Sequence, residues 1–149
     1  MKKPVTVESN GDVMVVTFDH PPVNLWDAAL AESLSEALDE VEAGSPRAVL
    51  FRSEGRVVSG GVDVEEFARA ETVERAKDLF DDLLAYPQRI EALGCPTIWS
   101  SHALTLTWAM ELALACDLII AADDCWFGLV EARIGLTPTM GGTQRLAAR

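Results

Sequence analysis

Strand-like runs and helix-like stretches take turns along this chain, and that alternation constrains its fold more than any other feature. The runs VTVE and DVMVVTF flank Asn10-Gly11, a dipeptide suited to joining antiparallel strands, so a hairpin is predicted to open the fold. From Asp27, a suitable N-cap, Leu30, Leu34, Ala37, Leu38 and Val41 recur on one helical face until Gly44-Ser45-Pro46 ends them. AVLF at 48–51 is a short β-type run. Val73, Ala76, Leu79, Phe80, Leu83 and Leu84 then mark a second helix running toward Pro87, where a kink or break is expected before a last stretch to Gly94. PTIWSS at 96–101 and DLIIAA at 117–122 are strand candidates on either side of a helix over 107–116, and Gly141-Gly142-Thr143 marks the start of a final helix. Strands alternating with helices predict an α/β class with parallel pairings. An unbroken apolar run such as DLIIAA predicts a strand covered on both faces. No repeat, linker or low-complexity tract divides the chain, so residues 1–149 are expected to form one domain.

Charge narrows the function classes. With 24 acids against 12 bases the formal net charge is -12, a field that repels phosphate backbones and anionic lipid, so neither nucleic acid nor membrane is an expected partner. The acids fall on amphipathic segments (Glu32, Glu36, Asp39, Glu40, Glu42; Glu65, Glu66, Glu71, Glu74), the pattern of a solvated face. Cys95, Cys116 and Cys125 sit in apolar runs without CxxC or His spacing, which points to reduced, buried thiols and no metal site. No apolar core follows the N-terminal lysines and no apolar stretch is long enough to span a bilayer, so a cytoplasmic location is expected. Glycine fingerprints for dinucleotides or nucleoside triphosphates are absent, as is a GxSxG elbow.

Three places invite chemistry. SGGVDV at 59–64 carries consecutive glycines that let backbone N–H groups approach a ligand, although an ordinary turn has the same composition. Glu111 follows its helix start by about one turn amid Met110, Leu112, Ala113, Leu114 and Ala115. The helix dipole alone accommodates such an acid, but an apolar wall raises its pKa toward the range useful for acid/base work. Glu131, in WFGLVEARIGL, is similarly embedded, with Arg133 close enough for a surface ion pair as the competing reading.

At these residues the sequence closely resembles the enoyl-CoA hydratase/isomerase (crotonase) family. HPPVNLW (20–26) is similar to the family's early Pro-rich loop ending in Asn-Ala-Leu, VVSGGVDV (57–64) to its Phe-Ser-Ala-Gly-Ala-Asp-Ile loop, and ELALACDLIIAADDCWFGLVEARIGLTPTMGGTQRLA (111–147) to its longest block. The resemblance implies a crotonase-like ββα superfold, of which this chain is the N-terminal core portion, with the family's later helices lying beyond GGTQRL. It implies acyl-CoA thioester substrates, no metal or organic cofactor, and assembly as a trimer or hexamer. Carried over by position, Val62 and Trp108 supply the two oxyanion-hole N–H groups, and Glu111 and Glu131 are the catalytic acids. Gly60, Gly61, Asp63, Asn24, Leu25 and Gly135 fall on substrate-binding segments.

The retained acid pair favours enoyl-CoA hydration. A crotonase-like isomerase or hydrolase, for example one cleaving β-diketones, and a non-catalytic truncated homologue are the alternatives. Residues 1–149 alone are expected to be inactive or weakly active. Two local departures from the family pattern stand out. Its Gly-Gly-Gly is here Thr107-Trp108-Ala109, and the Asn-Gly upstream is His102-Ala103. An indole aimed inward at 108 would reshape the pocket, and the β-branched Val62 stiffens its loop.

Overall fold

In a computed structural model, which describes residues 2–149, the hairpin opens the chain as expected: β1 (Val5–Asn10) pairs antiparallel with β2 (Val13–Phe18). Asn10 pairs with Val13, so the turn residues are Gly11-Asp12, one position later than the Asn-Gly reading, and Gly11 takes φ 62°. β3 (Ala48–Ser53), β4 (Thr97–Ser101) and β6 (Leu118–Ala121) add in parallel to give the order β1-β2-β3-β4-β6. A second, two-stranded sheet joins β5 (Thr105–Leu106) to β7 (Phe127–Gly128). Neither of its strands is legible in the sequence, because two residues carry no periodicity.

α1 (Ala28–Gly44) begins where Asp27 predicts, with the Asp27 carboxylate accepting from the Leu30 N–H at 2.8 Å. Its buried stripe of Leu30, Leu34, Ala37, Leu38 and Val41 is the predicted one. A short helix, α2 (Val64–Ala68), occupies what the sequence suggests is loop, capped by the Asp63 carboxylate on the Glu65 N–H. α3 (Val73–Glu91) corrects the expected break: the helix continues past Pro87 and ends at Glu91, short of Gly94. Leu83, Pro87 and Ile90 share one buried face, and this burial holds the segment helical although proline contributes no N–H.

α4 (Trp108–Ala115) is the centre of the fold, with all eight residues buried. α5 (Gly142–Ala148) starts at the predicted glycines. Two further expectations are corrected. β6 forms the sheet edge, with Leu118 and Ile120 exposed, so the run DLIIAA is not covered on both faces. Of the three free cysteines only Cys116 is buried, while Cys95 and Cys125 are half-buried. Asp117 has a structural role, accepting from both the N–H and the hydroxyl of Thr97.

Candidate active site

Two segments remote in sequence run side by side to build the site. Ser59 bridges Thr105, and the Leu106 N–H donates to the Ser59 carbonyl at 3.3 Å. On its other flank the loop is tied to Trp26, whose N–H donates to the Gly61 carbonyl at 3.0 Å and whose carbonyl accepts from the Asp63 N–H at 2.8 Å. Gly61 sits at φ 117°, which side-chain-bearing residues rarely adopt, and its N–H is held by the Ser59 hydroxyl at 3.0 Å. These ties leave Val62 facing the start of α4. Neither the Val62 N–H nor the Trp108 N–H donates to an acceptor within the described residues, so both are available to a ligand.

Val62 and Trp108 share a small cavity with Glu111 and Glu131, walled by Phe67, Leu83, Leu136 and Met140. Its volume is about 20 Å³, little more than a water requires. Glu111 is 2% exposed, and its Oε2 accepts from the Gly142 N–H at 2.7 Å. Burial drives its pKa up to about 7, the charge of Glu131 adds to that rise, and the Gly142 N–H opposes it. Glu131, at the head of a 3₁₀ turn (Glu131–Ile134), is also buried, and neither of its carboxylate oxygens has a hydrogen-bond partner among the described residues. Burial raises its pKa as well. The surface ion pair with Arg133 is not formed among the described residues. Two buried carboxyls in one apolar cavity cannot both ionise cheaply, which keeps a transferable proton in the site near neutral pH.

The Trp108 ring packs in the core. It lies 5.1 Å from Phe18 and 5.5 Å from Trp26 by ring centroids, and its Nε1–H donates to the Asn24 carbonyl at 3.2 Å. His102 is exposed and bonded to the Gly55 carbonyl, away from the cavity.

The remaining sequence candidates lie around the cavity rather than on its wall. Asn24 is buried at φ 51°, and its amide donates to the carbonyls of Glu54, Val57 and Val58, so it fixes the loop beside Trp108. Gly60 donates to the Val23 carbonyl at 2.7 Å, Asp63 caps α2, Leu25 is half-buried, and Gly135 is an exposed turn residue at φ 78°.

Gly142 is the site residue that sequence reasoning missed, because Gly141-Gly142-Thr143 reads in the sequence only as the start of a helix. A Cβ there would lie 2.8 Å from Glu111 Cγ and 3.0 Å from its Oε2. Gly142→Ala is therefore expected to push the Glu111 carboxyl off its N–H donor, at a cost of about 1–3 kcal/mol of overpacking. Thermal unfolding checks this; a variant with wild-type stability would mean that Glu111 can yield freely.

A mixed sheet carrying a buried helix, with a carboxyl from the first turn of that helix and another from a separate 3₁₀ turn lining one cavity, defines an α/β protein. The chain belongs to the enoyl-CoA hydratase/isomerase family, whose model matches residues 8–149. It is 36% identical over 135 residues to a Bacillus subtilis (strain 168) protein named "Probable enoyl-CoA hydratase", covering 90% of this chain and 52% of that one. It is 31% identical over 146 residues to the Clostridium acetobutylicum short-chain-enoyl-CoA hydratase, covering 96% and 56%. The crystal structure of enoyl-CoA hydratase from Thermoplasma volcanium superposes with a TM-score of 0.90 at 23% identity, over 99% of this chain and 59% of that one, which establishes the crotonase-type fold. The chain thus spans about half the length of the curated relatives it matches.

Proposed function

We propose that this protein is an enoyl-CoA hydratase-type lyase, adding water across the α,β double bond of an acyl-CoA thioester. The observation that carries this reading is the meeting of Glu111, Glu131, Val62 and Trp108 around one cavity. The thioester carbonyl accepts from the Val62 and Trp108 N–H groups, and the positive end of α4 favours the enolate oxygen that develops there. Glu111, titrating near neutrality, takes a proton from the water whose oxygen bonds to the β-carbon. Glu131, whose oxygens have no other partner, delivers a proton to the α-carbon as the enolate collapses. One carboxyl gains a proton and the other loses one, and exchange with solvent resets the pair.

The reaction as proposed calls on no metal or organic cofactor, coenzyme A being part of the substrate. The same reading makes the protein a cytoplasmic homo-oligomer, a trimer or hexamer. The names of the relatives support hydratase or isomerase chemistry, and no helix is long and apolar enough to cross a membrane among the described residues.

The test is a panel of trans-2-enoyl-CoA thioesters set against free β-diketones, assayed on the natural protein. Hydration of crotonyl-CoA, lost on Glu131→Gln, is the expected result. Cleavage of diketones without thioester hydration would replace this reading by the hydrolase one, and turnover of neither would leave the non-catalytic homologue.

A further inference from the structure

The backbone of Thr107 adopts φ 50° and ψ -117°, a conformation natural to glycine and strained for a β-branched residue. It is held there from both sides: the Thr107 N–H donates to the Gly128 carbonyl at 2.9 Å, and its carbonyl accepts from the Glu111 N–H at 2.9 Å. For an L-residue at this ψ, tetrahedral geometry brings Cβ nearly into eclipse with the following nitrogen. The Thr107 side chain therefore stands beside the Trp108 N–H. It also faces Gly61, the residue before Val62: Thr107 Cγ2 and Oγ1 each lie 3.8 Å from the place a Gly61 Cβ would take. Thr107 is 4% exposed, and its hydroxyl has no hydrogen-bond partner among the described residues. A buried hydroxyl without a partner costs about 1–3 kcal/mol, and the strained backbone costs a similar amount again. Both costs fall on a side chain that stands beside one free backbone donor and faces the residue preceding the other.

We propose that the Thr107 hydroxyl is a third donor of the oxyanion hole, completing with the Val62 and Trp108 N–H groups a three-point site for the enolate oxygen of a bound thioester. This rests on the hydratase reading above and adds a residue to it. The hydroxyl rotates freely about its C–O bond, so it can turn its hydrogen to an oxygen lodged between the two amides. Its bond is shorter and stronger to the enolate than to the neutral carbonyl, so it acts chiefly on the transition state.

The discriminating probe is acetoacetyl-CoA, a β-ketothioester whose enolate absorbs in the near ultraviolet, used on the natural protein alongside crotonyl-CoA hydration. The wild type is expected to raise the enolate fraction of the bound ligand. Thr107→Val keeps the shape and removes the donor; it is expected to lower that enolate enrichment and kcat by about 10- to 100-fold with KM little changed. Thr107→Ser restores the donor and recovers most of both. Should the valine variant not fold, Thr107→Gly removes the hydroxyl while relaxing the backbone, and the same losses are expected of it. A valine or glycine variant that matches serine in a wild type that hydrates enoyl-CoA would overturn the third donor and leave the hydratase reading standing. A wild type that neither hydrates crotonyl-CoA nor shifts acetoacetyl-CoA to its enolate would overturn both.

Discussion

Glu111→Gln is expected to cut crotonyl-CoA hydration by about 10²- to 10⁴-fold while making the protein more stable in mild alkali. The two effects share a cause. Burial holds the Glu111 pKa at about 7, above the ordinary 4.5. A carboxyl whose folded pKa is raised contributes its full stability below the unfolded value and loses it as pH climbs through the folded value. Above neutrality the buried charge costs about 3 kcal/mol relative to the protonated form. Glutamine cannot ionise, yet its side-chain carbonyl can still accept the Gly142 N–H, so the variant avoids that cost. Melting curves at pH 8 and pH 5 check the sign: the variant melts several degrees above wild type at pH 8, and the gap closes toward pH 5. A variant less stable than wild type at pH 8 would mean that the charge is compensated by groups not seen around it.

Trp108→Ala is expected to lose about 3–5 kcal/mol of stability, the cost of emptying a large aromatic site. Trp108 is 1% exposed, with Phe18, Trp26 and Trp99 around it at ring-centroid distances of 5.1, 5.5 and 6.4 Å. The loss is a large share of the roughly 5–15 kcal/mol that holds a domain folded. Truncation also deprives the Asn24 carbonyl of its indole donor, in the loop that flanks the site. Trp108→Phe fills most of the volume and should lose only about 1–3 kcal/mol, the share owed to that carbonyl. Urea unfolding of the pair separates packing from hydrogen bonding. An alanine variant as stable as phenylalanine would place the ring outside the core.

Position 108 also marks where the sequence runs out. The family resemblance names Trp108 as an oxyanion donor, but a ring aimed into the substrate pocket and a ring packed in the core have the same local sequence. The second outcome follows from three aromatic residues supplied by β2, β4 and the segment before α1. Pro87 is a similar case. Its own chemistry argues for a break, and the burial of Leu83, Pro87 and Ile90 against the rest of the fold overrides it. DLIIAA fails in the other direction: its apolar run fits a central strand, yet sheet order leaves it at an edge. The Glu111–Gly142 contact spans 31 positions, beyond the reach of any helical or strand period.

What the sequence determined by itself is the kind and order of its longer elements. The hairpin, α1, the parallel α/β alternation and the glycine start of α5 follow from turn chemistry, caps and apolar spacing, all properties of neighbouring residues. Apolar surroundings singled out Glu111 and Glu131, and the likeness of the motifs to a known family added the catalytic role proposed for them. Tertiary structure alone decided that Glu111 and Glu131 share one small cavity, that Glu111 titrates near neutrality, and that Thr107 is held with its hydroxyl unpartnered among the described residues. Burial and charge proximity are set by segments far apart in the chain, and they exist only once those segments have packed.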